Sequence, residues 1–158
     1  MTTALVNTRY LNGFRLVSPA YCNIVSLPAA AVNIAKGECM FDNGAGFVTN
    51  VGVAFAATFE GIALEPVDNS AGAAGDLNVL VVLPTSETSF WVGNDSATVA
   101  AQTDVGEMVD LETNHSIDVT DETLVSWGFR IEFVDISTAA LSAKAGGWAR
   151  GRILPQPQ

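Results

Sequence analysis

The sequence has few basic residues and few of the residues that usually carry catalysis. Seven Lys and Arg accompany 17 Asp and Glu, and the chain contains one histidine and two cysteines. His115 has no second histidine with which to share a metal ion, and no Gly-x-Ser-x-Gly motif marks a nucleophile. Cys22 and Cys39 form no CxxC motif, and we expect both to behave as small buried hydrophobic residues. These absences favour a protein that is not an enzyme and that holds no cofactor or metal.

Long apolar runs are absent as well. No stretch approaches the roughly 20 apolar residues that a membrane-spanning helix needs. The sequence does not begin with a basic region followed by an apolar run, so it shows no signal peptide. We therefore expect no membrane partner.

The charge of the chain, -10 in total, is unevenly distributed. Residues 85–127 contain nine acids and no base, so nucleic acid phosphates would meet a field of carboxylates there. The spacing of these acids does not match a calcium-binding loop. Residues 1–35 and 128–158 carry a net charge of +2 each, and they could meet an acidic protein partner. The charge pattern predicts no nucleic acid partner.

The residues that are plentiful, Val, Ile, Thr and Phe, favour β-structure. Residues 38–41 and 47–49 flank a glycine-containing turn, which is typical of a hairpin. Thr58–Leu64 alternates, and Leu77–Leu83 is apolar on both faces and predicts a central strand. Trp127–Ile136 predicts the longest strand, and the following residues are expected on alternate faces. Phe129, Ile131 and Phe133 share one face, and Arg130, Glu132 and Val134 share the other.

Similar short motifs occur twice along the chain in the same order. Their spacing is nearly constant, which suggests two copies of one β-unit with small loop insertions. The separations are 69 residues for Gly37 and Gly106, 67 for Gly61 and Gly128, 67 for Asp68 and Asp135, and 71 for Pro84 and Pro155. We predict an all-β fold of two tandem small antiparallel β-barrel or sandwich units related by this internal repeat. The units span 30–86 and 87–158, the second with a C-terminal tail, and an extended N-terminal arm spans 1–29.

The arm and the last strand supply the candidate contact residues. The arm is either an irregular lead-in that packs on its own domain or an extended segment laid on another subunit. In the second case aromatic side chains anchor it and arginines fix it. Arg150 and Arg152 project to one side of the last strand, as a solvated face or as a docking edge. The candidate contacts are Arg9, Tyr10, Phe14, Arg15, Tyr21, Trp148, Arg150 and Arg152.

Residues 36–84 resemble the head decoration, or cement, proteins of tailed bacteriophages. The resemblance lies in Lys36-Gly37-Glu38, a glycine-rich turn at 42–46, the stretch Phe59–Glu65, a small-residue loop and a Val/Leu strand. It implies small β-barrel domains on the outer surface of a virion, made in the host cytoplasm. The implied partners are the major capsid protein and further copies of the chain, as a trimer or a dimer. It extends to residues 90–155 only through the internal repeat and assigns no binding residue.

Two other functions fit the same composition. Another phage structural component, such as a tail tube or collar protein, would share the β architecture and assemble as rings. A carbohydrate-binding β-module would need an exposed platform built from Trp91, Trp127 and Trp148, which would otherwise be core residues.

Overall fold

The structure, a computed structural model, describes residues 13–17, 22–52, 57–95, 98–121, 126–135 and 147–155, and these residues form an all-β protein. The first eight strands are β1 Arg15–Leu16, β2 Asn23–Pro28, β3 Asn33–Ile34, β4 Cys39–Asp42, β5 Val48–Thr49, β6 Phe59–Ala63, β7 Val67–Asp68 and β8 Asn78–Leu83. The other five are β9 Phe90–Asn94, β10 Met108–Thr113, β11 Ser116–Asp118, β12 Trp127–Asp135 and β13 Trp148–Pro155. A short 3₁₀ helix, Gln102–Asp104, precedes β10.

Five strands of the C-terminal half close into a barrel. The order around it is β9, β11, β10, β12 and β13, and β13 pairs again with β9. The pairing of β9 with β11 is parallel, and the other pairings are antiparallel. Alternate residues of each strand fill the interior. The buried residues are Phe90, Val92, Val109, Ile117, Phe129, Ile131, Ala149 and Ile153.

Five strands of the N-terminal half form what we call the first sheet, in the order β2, β8, β6, β4 and β5. Its two end strands meet at one parallel bridge, between Ala29 and Val48. The predicted hairpin is confirmed as β4 and β5, and the predicted central strand is confirmed as β8. Strands β3 and β7 form a separate two-stranded sheet. The first sheet encloses a small hydrophobic cluster of Ala29, Ile34, Met40, Val48, Ala63, Val79 and Val81.

The first sheet and the barrel connect their strands in the same order. Starting from the first strand of each, the neighbours are β5, β4, β6 and β8 in one, and β11, β10, β12 and β13 in the other. In both cases one contact of the starting strand is parallel: the end of β2 meets β5 at Ala29 and Val48, and β9 pairs with β11. The correspondence therefore covers both the order and the direction of the strands.

The backbone hydrogen bonds at the start of β4 and β10 also correspond. In the first sheet, Gly37 N donates to Ala63 O at 2.8 Å, and Ala63 N donates to Glu38 O at 2.9 Å. In the barrel, Gly106 N donates to Ile131 O at 2.7 Å, and Ile131 N donates to Glu107 O at 3.0 Å. Both glycines have positive φ, 85° and 99°.

The residues predicted as a separate arm, 1–29, do not behave as one element where the structure describes them. Residues 23–28 are strand β2 of the first sheet, paired with β8 along its whole length. Arg15 and Leu16 are strand β1, paired with β9 of the barrel. Val25 and Leu27 pack against the cluster of the first sheet, which explains why this stretch forms a strand. The prediction of an arm is therefore wrong for these residues. Residues 1–12 and 18–21 lie outside the described part of the chain.

Segment 13–17 lies between the first sheet and the barrel and bonds to both. Gly13 N donates to His115 O of the barrel at 2.8 Å. Phe14 N donates to Gly37 O of the first sheet at 2.8 Å. The two glycines approach so closely that a Cβ added at Gly37 would lie 2.8 Å from the carbonyl oxygen of Phe14. The segment thus connects the two halves through its backbone.

The ring of Phe14 is buried in the core of its own chain. It is 3% exposed and packs edge-on against Phe90 and Phe129, at 6.1 and 5.8 Å between ring centres. These two residues are part of the barrel interior, so Phe14 extends that interior toward the first sheet. The prediction that Phe14 anchors the chain on another subunit is therefore corrected, because its ring is used within this chain.

The alternation predicted for β12 holds up to a break near its end. Phe129 and Ile131 are buried as expected, but Phe133 is 46% exposed. The register with β13 shifts between Ile131 and Phe133. An irregularity of this kind moves the following side chain to the opposite face. Phe133 therefore lies on the outside of the barrel and not on the predicted inner face.

Replacing Phe14 with alanine tests the connection between the two halves. We expect Phe14→Ala to lower the free energy of unfolding by about 3–5 kcal/mol, because a buried aromatic ring is removed and a cavity is left. Urea unfolding followed by tryptophan fluorescence measures this loss. Val51→Ala, at a largely exposed site, is the control and should change stability by less than about 0.5 kcal/mol. A loss below about 1 kcal/mol for Phe14→Ala would contradict the packing role.

Gly37 and Gly44 form a matched pair for testing the close approach. Both have positive φ, 85° and 78°, so alanine at either site costs about 1–2 kcal/mol of backbone strain. A Cβ at Gly44 would meet open space, whereas one at Gly37 would clash with the Phe14 carbonyl. We expect Gly37→Ala to lose clearly more stability than Gly44→Ala in the same urea titration. Equal losses would show that the chain tolerates a wider gap there.

Candidate interaction surface

Strand pairing brings arginine and aromatic side chains together on the outside of the barrel. Trp91 of β9 is paired with Arg15 of β1 on one side and with Arg150 of β13 on the other. Arg150 is in turn paired with Phe133 of β12. Directly paired residues project from the same face of a sheet. We call this set, with Trp148, the arginine–aromatic face.

Arg150 lies in the middle of the arginine–aromatic face. Its Cζ is 5.9 Å from the ring centre of Trp91 and 5.5 Å from that of Phe133. The two rings are 5.9 Å apart and nearly perpendicular, at 87°. Each cation–π contact contributes about 0.5–1 kcal/mol at an exposed site. Among the described residues, the Arg150 guanidinium thus contacts the two rings, and no carboxylate of these residues pairs with it.

Arg15 and Trp148 form the second half of the arginine–aromatic face. The Cζ of Arg15 lies 5.1 Å from the ring centre of Trp148. Partial burial lowers the pKa of the Arg15 guanidinium from its ordinary value. Trp148 is itself buried, and its Nε1 has no hydrogen-bond partner among the described residues. The buried ring of Trp148 therefore packs against the guanidinium of Arg15 in the same chain. This corrects the prediction that the ring contacts another subunit.

Arg152 does not belong to the arginine–aromatic face, although it is close in sequence. Its Nε lies 2.8 Å from Glu132 Oε1, and its Nη1 donates to the carbonyl of Ser86. Arg152 thus links β13 to β12 and to the connection between the two halves. The remaining predicted contacts, Arg9, Tyr10 and Tyr21, lie outside the described residues.

The sequence interpretation missed Phe133 as a surface residue and considered Trp91 only as part of a carbohydrate platform. The three tryptophans do not share one exposed plane. Trp127 packs against Phe59 at 5.7 Å, Trp148 is buried, and Trp91 stands edge-on to Phe133. A flat sugar-stacking platform of all three rings is therefore absent from this arrangement.

Among the described acids of residues 85–127, Asp110 is the buried one, at 5% exposure. Its Oδ1 accepts a hydrogen bond from Leu111 N at 2.7 Å, and its cross-strand partner is Asp118. Burial raises the pKa of Asp110, the nearby charge of Asp121 raises it further, and the backbone hydrogen bond opposes both. Among the described residues no group of three or more His, Cys, Asp or Glu side chains is placed to hold a metal ion.

The single histidine and the two cysteines occupy structural positions. His115 lies in the turn between β10 and β11, with its Nδ1 2.6 Å from Asn114 Oδ1. The same turn bonds to the first sheet, where Cys39 N donates to Asn114 O at 2.7 Å. Cys39 is a free, fully buried thiol whose pKa is raised by burial and by the neighbouring Glu38. Cys22 is half-buried and packs against the hydrophobic cluster that contains the barrel interior. The prediction of a small buried hydrophobic residue is confirmed for Cys39.

Comparison with known proteins gives no relative for this chain. No protein-family model, curated protein or solved structure matches it. Throughout the described ranges, no helix has the length and apolar character needed to cross a bilayer.

The buried carboxyl of Asp110 predicts a pH-dependent contribution to stability. Because its pKa is raised on folding, the favourable contribution is complete below the ordinary aspartate pKa and is lost as pH rises through the folded value. We expect Asp110→Asn to gain stability relative to wild type as pH rises from about 4 to 7. Urea unfolding at several pH values measures the difference.

Glu112→Gln is the matched control, because it removes the same charge from an exposed site on the same strand. A difference between Asp110→Asn and wild type that does not change with pH would contradict the effect of burial.

Proposed function

We propose that this chain is a structural virion protein that decorates and cements the capsid of a tailed bacteriophage. In this proposal it bridges major capsid subunits on the outer surface, transforms no substrate and needs no cofactor. The observation that carries the proposal is the arginine–aromatic face, a preorganised cationic surface on a chain whose net charge is -10. The resemblance of residues 36–84 to decoration proteins points to the same role.

The fold supports a bridging role because it contains two similar units. The shared strand order, the shared parallel closure and the matching hydrogen bonds at Gly37 and Gly106 favour a tandem internal repeat. We infer that the first sheet and the barrel descend from one duplicated β-unit. A protein with two units of one plan can meet two neighbouring subunits of a lattice with related surfaces.

The arginine–aromatic face fits an acidic patch on the major capsid protein. A guanidinium held between two rings loses little side-chain entropy when it binds a carboxylate through paired hydrogen bonds. Phe133, which is exposed, adds apolar area at the same contact. Each contact can be weak, because a shell repeats it many times and neighbouring contacts reinforce one another. Further copies of the chain, as a trimer or a dimer, complete the lattice in this proposal.

Arg150→Ala tests the proposal directly. The measurement is co-sedimentation of the purified chain with heads of its tailed phage from which the decoration has been stripped. We expect binding to weaken about tenfold or more, equivalent to about 1.4 kcal/mol, because the central cation of the contact is lost. Arg130→Ala removes an exposed arginine of the neighbouring strand β12 and should change binding by less than about twofold.

Two outcomes would contradict the proposal. The wild-type chain could fail to rebind stripped heads at moderate salt, which would argue against decoration altogether. Alternatively, Arg150→Ala and Arg130→Ala could weaken binding equally, which would indicate general electrostatic attraction and not a contact at the arginine–aromatic face.

A further inference from the structure

One edge of strand β2 faces away from the first sheet. Ala29 N donates to Leu77 O on the β8 side at 2.9 Å, whereas Ala30 N donates to Val48 O on the other side at 2.8 Å. Successive residues of a strand direct their backbone groups to opposite edges. Ser26 and Ile24 lie four and six residues before Ala30. They therefore direct their N–H and C=O groups away from β8, as Ala30 does. No described residue pairs with this edge between Asn23 and Pro28.

The corresponding edge of the barrel is occupied. Asp95 N donates to Ile117 O at 3.1 Å, which is the counterpart of the bond from Ala30 to Val48. Counting back along each strand from this bond, Trp91 corresponds to Ser26 and Ser89 to Ile24. Strand β1 pairs with the barrel at these positions: Trp91 is paired with Arg15, and Ser89 O accepts a hydrogen bond from Val17 N at 3.0 Å.

The composition around β2 lacks the charged residues that usually protect such an edge. Natural edge strands carry charged residues, which repel an approaching strand. Residues 16–35 contain no Asp, Glu, Lys or Arg. Ile24 is 46% exposed, and Asn23 and Ser26 are exposed as well. In a chain of net charge -10, this edge is a place where two copies can approach without opposing like charges.

We propose that β2 pairs antiparallel with β2 of a second copy across a two-fold axis at Val25. In that register Ile24 lies opposite Ser26 of the second copy, and Ser26 lies opposite its Ile24. Both pairs have their N–H and C=O groups directed at the shared edge, so four backbone hydrogen bonds form. Pro28 has no N–H, so the pairing ends there and the register is limited. The outward Ile24 side chains lose solvent exposure in the pair.

This contact specifies how copies of the chain meet in the proposed function, but it rests on the geometry of β2 and not on capsid binding. The experiment therefore uses the full chain without capsids. Sedimentation velocity over a concentration series gives the fraction of dimer, and amide hydrogen exchange reports on single residues. We expect a dimer in the wild type, with the amides of Ile24 and Ser26 becoming more protected as concentration rises.

Two variants disrupt the edge by different means. Ser26→Pro removes an N–H that β8 does not use, and Ile24→Lys places a charge on the edge without changing the backbone. We expect each to weaken dimerisation at least about tenfold, while Ser26→Thr, which keeps the N–H, dimerises like the wild type. Circular dichroism checks that each variant is folded. If Ser26→Pro is unfolded, dimerisation of Ile24→Lys alone tests the proposed pairing.

Two results would overturn the inference. The wild type could remain monomeric at every concentration, or the dimer could persist unchanged in both Ser26→Pro and Ile24→Lys. Arg150→Ala should leave the dimer intact, so that a failure of capsid binding and a failure of β2 pairing are distinguished by separate measurements.

Discussion

The structure depends on the insertion of segment 13–17 between the first sheet and the barrel. Phe14 adds its ring to the barrel interior, while its backbone bonds to Gly37 of the first sheet. The approach is so close that position 37 needs both the positive φ and the missing side chain of glycine. The same insertion sets β1 beside β9 and thereby places Arg15 next to Trp91. The Arg15 part of the arginine–aromatic face therefore depends on the core contact that holds the segment in register.

The two halves also share apolar surface beyond this segment. One hydrophobic cluster combines the barrel interior with side chains of the first sheet that point away from its own small cluster, namely Cys39, Phe41, Phe59, Ile62 and Val82. Strands β4, β6 and β8 are thus apolar on both faces, because they contribute side chains to both clusters. Separating the halves would expose those side chains to water, at a cost of about 25 cal/mol for each Å². The shared core therefore opposes separation of the two halves.

Local sequence patterns were sufficient for much of this fold, and the limits have physical causes. Alternation located β6 and β12, and an apolar run located β8. The spacing of Gly37 and Gly106 matched residues that make equivalent bonds. The spacing of Gly61 and Gly128, 67 residues, misses the structural correspondence of Ala63 with Ile131 by one residue. The β4–β6 and β12–β13 pairings also contain register shifts, and no local signal in the sequence marks them. The shift in β12–β13 places Phe133 on the outer face, which alternation does not predict. The burial of Phe14 depends on residues far away in sequence.

The distribution of charge restricts where this chain can assemble. The chain has 17 acidic and seven basic side chains, so two copies, or a copy and another acidic protein, repel each other in most orientations. Two regions do not contribute to this repulsion, for different reasons. The arginine–aromatic face attracts acidic groups, and the uncharged stretch 16–35 is neutral toward every partner. Repulsion elsewhere then favours specific contacts, since wrong orientations cost more than the correct ones gain. A net negative charge with two such regions thus restricts the orientations in which this chain can make specific contacts.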